Sequence, residues 1–103
     1  PSDFDVLSGD DGITQPLMAL GARGVISVAA NGYPKMFCKM VKDMMNDDVK
    51  SALSIHYKLL KMNNLIFADG NPAGIKCVLA YQKLCKNVLR LPLVSVAENV
   101  KSD

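Results

Sequence analysis

Two short apolar segments constrain this fold more than any other feature: Phe4-Asp5-Val6-Leu7 and Gly24-Val25-Ile26-Ser27-Val28-Ala29-Ala30. The first ends in the turn cluster Ser8-Gly9-Asp10-Asp11-Gly12 and the second in Asn31-Gly32. Apolar runs bounded by such residues read as strands. Between them, Thr14 to Leu20 can form a short helix, with Asp10 or Asp11 available as N-cap. Pro16 is tolerated in the first turn, where its missing N–H has no partner, and Gly21 suits the C′ position. Strand, helix and strand within about thirty residues predict a parallel βαβ unit with a right-handed crossover.

Everything after Asn31 reads as helix or loop. Met36, Phe37, Met40, Val41, Met44 and Met45 recur at helical period and predict a helix over 33–45. Asn46-Asp47-Asp48 breaks it and supplies an N-cap for a second helix, on which Val49, Ala52, Leu53, His56, Leu59 and Leu60 share a face. That helix fades near Asn63-Asn64 or runs on to Phe67. A loop, Asp69-Gly70-Asn71-Pro72, places Asn71 as N-cap and Pro72 at the first helical position of a third helix. Ile75, Val78, Leu79 and Cys85 lie on its apolar face. Leu89 to Val94 is extended, because Pro92 forbids helix.

Two parallel strands leave two unpaired edges, and parallel sheets normally need both faces covered. Three helices cannot readily supply that cover. The pattern reads as the tail end of a larger α/β fold, cut or processed ahead of Pro1. With 103 residues there is room for one unit at most. The chain is 50% hydrophobic, 21% charged and carries a formal charge of +2, which argues against disorder. No apolar run approaches the roughly 20 residues that cross a bilayer, so no membrane partner is expected. Only two residues are Arg, Trp is absent and no basic cluster interleaves with aromatics, so no nucleic-acid partner is expected either.

Cys38, Cys77 and Cys85 form no Cys-x-x-Cys pair, and the lone His56 has no ligand at metal spacing, so no metal site is expected. The thiols are expected reduced, in a cytoplasmic protein, with two or three packed as small apolar groups. Asp10-Asp11 can be read as an acid–base pair, but adjacent aspartates after a strand are more often helix caps. They lack the alternating oxygens of a calcium loop, and Gly9 to Gly12 lacks the lysine of a phosphate loop. Lys76 is expected to be a surface lysine and His56 a packed histidine. Met36, Met40, Met44 and Met45 are expected in a core or a subunit contact.

Four blocks, Val6-Leu7-Ser8-Gly9-Asp10-Asp11, Gly24 to Asn31, Asn71-Pro72-Ala73-Gly74-Ile75-Lys76 and Leu89-Arg90-Leu91-Pro92-Leu93, resemble the dihydrodipicolinate synthase family in order and spacing. The resemblance spans nearly the whole chain. It implies an α/β fold: the C-terminal segment of a TIM (β/α)8 barrel, with strands 7 and 8 at Phe4–Leu7 and Gly24–Val28, plus a C-terminal helical extension. Residues 1–45 would be the last two β/α units and 46–103 the extension. The implied activity is a lyase reaction of lysine (diaminopimelate) biosynthesis, in which pyruvate, held as a Schiff base on a lysine, condenses with aspartate semialdehyde. Neither a cofactor nor a metal is implied. The lysine and the tyrosine relay belong to earlier strands, so the chain would hold no catalytic residue and be inactive alone. What carries over is substrate binding: the main chain of Ile26, the backbone of Gly9 and, at the rim, Asp10. The missing N-terminal part of the barrel and further copies of the chain, in a homo-oligomer, would be its partners.

Two departures stand out. Ala29 stands where the family usually has Thr or Ser, which removes a hydroxyl near the pocket. Gly74 stands where Pro or a similar residue is usual, and is expected only to loosen the first turn of its helix. The alternatives are a related pyruvate aldolase, such as a sialic-acid lyase, and a stand-alone interaction module whose Met-rich helices bind a partner.

Overall fold

The computed structural model describes residues 3–102. The two strands are β1 (Leu7–Ser8) and β2 (Gly24–Val25), paired in parallel with Leu7 opposite Gly24 and Ser8 opposite Val25. Regular ladder geometry is shorter than the apolar segments suggest. It extends by one bond at each end, from the Arg23 amide to the Val6 carbonyl (2.8 Å) and from the Ile26 amide to the Ser8 carbonyl (3.0 Å). Phe4 and Val6 stay exposed, and beyond Val25 the chain turns into a 3-10 turn over Ala29–Asn31 instead of remaining extended.

Helix α1 (Thr14–Ala19) follows a 3-10 turn over Asp11–Ile13. Asp10 caps that turn, its Oδ1 accepting from the Gly12 amide at 2.7 Å. The C-terminus of α1 closes as expected around Gly21, at φ +110°. The Gly21 amide bonds to the Met18 carbonyl and the Ala22 amide to that of Leu17, the paired bonds of a Schellman end.

Helices α2 (Pro34–Met45) and α3 (Val49–Ala68) pack along one another. The α2 stripe buries Phe37, Met40 and Met44 and half-buries Met36 and Val41, while Met45 is exposed. On α3 the buried line is Ala52, Ile55, His56, Leu59, Asn63 and Ile66. It is rotated from the expected face, leaving Val49 and Leu53 exposed. The rotation follows from α2, which covers only one side of a helix that is apolar over much of its circumference. His56 is packed, as expected. Asp48 caps α3, accepting from the Ser51 amide at 3.1 Å. Asp43 joins the two helices by accepting from Lys39 Nζ (2.7 Å) and Ser51 Oγ (2.6 Å), and these bonds hold its carboxyl below the ordinary aspartate range.

Helix α4 (Ala73–Tyr81) starts one residue later than expected, with Pro72 at the N-cap and no side-chain cap from Asn71. It also stops before Cys85, which lies outside the helix and is exposed. Cys38 is exposed too, and only Cys77 is partly buried. The expectation of two or three packed thiols is therefore corrected. The α2 stripe turns Phe37 rather than Cys38 inward, and α4 ends before it can carry Cys85 to the core. The tail from Lys86 has a turn at Leu91-Pro92 but no regular structure until α5 (Glu98–Lys101), an element without a sequence signal.

Gly74 corrects a second expectation. A Cβ there would lie 1.8 Å from the Ile66 carbonyl oxygen, so α4 meets the α3 backbone at this point. Gly74 sets a helix–helix contact rather than loosening a first turn.

Candidate functional site at the carboxyl ends of the strands

The polar loops that leave β1 and β2 lie side by side and are bonded into one cluster. Ser8 is 1% exposed, and its hydroxyl donates to the Asp10 carbonyl (2.7 Å) while accepting from the Asp10 amide (3.2 Å). The Thr14 hydroxyl, fully buried, donates to the same carbonyl at 2.9 Å. These bonds fix the turn that carries Gly9.

Asp11 ties the first loop to the second. Its carboxylate is 2% exposed and accepts from the Ser27 hydroxyl at Oδ1 and from the amides of Val28 (3.0 Å) and Ala29 (2.9 Å) at Oδ2. Ser27 Oγ in turn accepts from the Ala30 amide at 2.9 Å. The N-cap role read into Asp10-Asp11 is thus divided. Asp10 caps its own turn, and Asp11 caps the Ala29–Asn31 turn that follows the other strand.

The three residues singled out for substrate binding fall on this cluster. Gly9 and Asp10 lie in the loop after β1 and Ile26 immediately after β2. The Ile26 amide is anchored to the Ser8 carbonyl next to Gly9. Gly9 is exposed with nothing within 4 Å of where a Cβ would stand, and Ile26 is 75% exposed. Asp10 is exposed, with one carboxylate oxygen committed to Gly12. Ala29 is fully buried in the apolar core, its amide used by Asp11.

Sequence reasoning passed over Ser27, Ser8 and Thr14. Each is a short hydroxyl next to a turn, which is the only signal available. Lys76 is half-buried on α4, and every other lysine of the described residues is exposed on the helices and tail. No group of three or more potential metal ligands occurs among the described residues. None of the described helices is long and apolar enough to cross a membrane.

Parallel strands joined by a helix, with a polar cluster at their carboxyl ends, define a β/α protein, a class whose sites characteristically lie on that face. The comparisons narrow the class. The model of the dihydrodipicolinate synthetase family matches residues 1–103, and the chain belongs to that family. It is 52% identical over 94 residues to the 4-hydroxy-tetrahydrodipicolinate synthase of Phocaeicola vulgatus, covering 91% of this chain and 32% of the relative. To the enzyme of the same name from Flavobacterium psychrophilum it is 46% identical over 102 residues, covering 99% of this chain and 35% of the relative.

Among solved structures, dihydrodipicolinate synthase from Aquifex aeolicus superposes with a TM-score of 0.95 at 36% identity, over 99% of this chain and 35% of that one. The Acinetobacter baumannii enzyme, described as chloride-inhibited and complexed with pyruvate, gives 0.91 at 34% identity over 96% and 34%. These neighbours are TIM-barrel proteins. The chain spans about a third of the length of the relatives it matches.

Proposed function

We propose that these residues form the closing third of a 4-hydroxy-tetrahydrodipicolinate synthase, a lyase that condenses pyruvate with aspartate semialdehyde in lysine (diaminopimelate) biosynthesis. In this reading β1 and β2 are barrel strands seven and eight, residues 1–45 complete the barrel, and 46–103 form the helical extension. The protein is cytoplasmic and assembles as a homo-oligomer. The observation that carries the reading is the anchoring of Ile26 beside the Gly9 turn at the carboxyl ends of two parallel strands.

The chemistry divides accordingly. Gly9 presents backbone without a side chain, which lets a small α-keto acid approach closely. The main chain at Ile26 borders the same space, and Asp10 stands at its rim. A Schiff base needs an amine aimed into this space. Residues 1–34 contain no lysine at all, so neither strand nor its following loop can provide one. The nucleophile comes from a part of the protein outside this chain, and the 103 residues alone are inactive.

Borohydride reduction of the whole protein in the presence of labelled pyruvate, followed by peptide mapping, tests this. The reading predicts one labelled lysine, on a peptide outside these 103 residues. Label on any of the ten lysines of this chain contradicts it.

A further inference from the structure

We propose that Asp11 is a positioning residue for the substrate wall: its carboxylate, holding the Ser27 hydroxyl and the Val28 and Ala29 amides, fixes the main chain at Ile26 against the Gly9 turn. The inference rests on the synthase reading above and adds to it a residue that touches no substrate.

Asp11 is 2% exposed, and no described ion pair involves it. A buried carboxylate persists where donors replace its water, and here all three donors come from the loop after β2, sixteen to eighteen residues away. Gly9, two residues before it, leads out of β1. One side chain therefore ties the two segments that border the candidate substrate space. Ile26 lies directly between two fixed points: its amide is held by the Ser8 carbonyl, and the next residue, Ser27, is held by Asp11. The loop after β2 has no other described side-chain bond to the loop after β1. A misplacement of about 1 Å in groups that position a substrate can cost up to about a hundredfold in reaction rate.

The test compares wild type with Asp11→Ala, Asp11→Asn and Ser27→Ala in the whole protein, measuring KM for pyruvate, kcat, and borohydride trapping at saturating pyruvate. Asp11→Asn keeps an oxygen for the two amides, and Ser27→Ala removes one bond. Both are chosen to stay folded, which circular dichroism checks. The expected result is a rise in pyruvate KM of about tenfold for Asp11→Ala and about threefold for the two milder variants. Trapping at saturation stays near wild type, because the amine is untouched. A merely structural role lowers the active fraction and leaves KM alone.

If Asp11→Ala does not fold, the two milder variants decide. Unchanged KM in both overturns the proposal while wild-type trapping leaves the synthase reading standing. A wild type that traps no pyruvate overturns both.

Discussion

Gly74 and Ile66 illustrate how one missing carbon sets the distance between two helices. A methyl group at Gly74 would stand 1.8 Å from the Ile66 carbonyl oxygen and 2.6 Å from its carbonyl carbon. Backbone cannot rotate away as a flexible side chain does, so α3 and α4 would have to separate. Gly74→Ala is expected to cost about 3 kcal/mol, the upper end of ordinary overpacking, in spite of its better helix propensity. Urea unfolding of the whole protein checks this, and a neutral or stabilising result would show that α4 moves at little cost. The resemblance marks Gly74 as unusual for the family, but the reason is spatial and becomes visible only when α3 is placed beside it. The same holds at the candidate site. Gly9, Asp10 and Ile26 enter only through the resemblance, while their place beside the strand ends follows from the two apolar segments. The Asp11–Ser27 bond joins residues sixteen apart whose types are equally suited to local caps.

Helix ends show where local pattern succeeds and where it stops. Three helices close with Schellman bonds. At the end of α1 the left-handed residue is Gly21, at the end of α2 it is Asp47 (φ 60°), and at the end of α4 it is Lys83 (φ 60°). The first is read from its glycine and the second from the Asn46-Asp47-Asp48 cluster. The third carries no turn residue, so the apolar stripe suggests that α4 runs on toward Cys85. Lys83 holds this conformation against the steric cost of its Cβ. Lys83→Gly is therefore expected to stabilise the protein by about 1 kcal/mol, read as a raised midpoint in thermal unfolding. A lowered midpoint would mean that the lysine side chain contributes contacts of its own. The stripes of α2 and α3 were legible because each repeats over three turns or more, whereas α5 spans four residues and has no room for a period. The strands are shorter than the apolar segments because hydrophobicity records burial in a sheet, while the ladder records only the neighbours present.

Taken as a molecule, the chain has a core that passes from Met18 of α1 through Phe37 and Met40 of α2 to Leu59 and Ile66 of α3 and Ile75 of α4. That core covers one side of the βαβ unit. Phe4, Val6, Leu7, Ile13, Leu20 and Ile26 remain exposed around it. The radius of gyration, 14.8 Å, exceeds the ~13 Å of a compact domain of ~100 residues. Both observations suit a segment whose strands and flanking apolar side chains meet further layers of a barrel. The two-stranded parallel sheet and its helices superpose on a TIM-barrel synthase over 35% of that chain.

A crystal structure of the whole protein soaked with pyruvate checks whether the backbone at Gly9 and Ile26 borders a pyruvate site. The expected result is density for pyruvate, joined to a lysine from outside residues 1–103, in contact with the main chain at Ile26 and Gly9. Pyruvate bound at any other face, with the carboxyl ends of β1 and β2 filled by side chains from the rest of the protein, would contradict it.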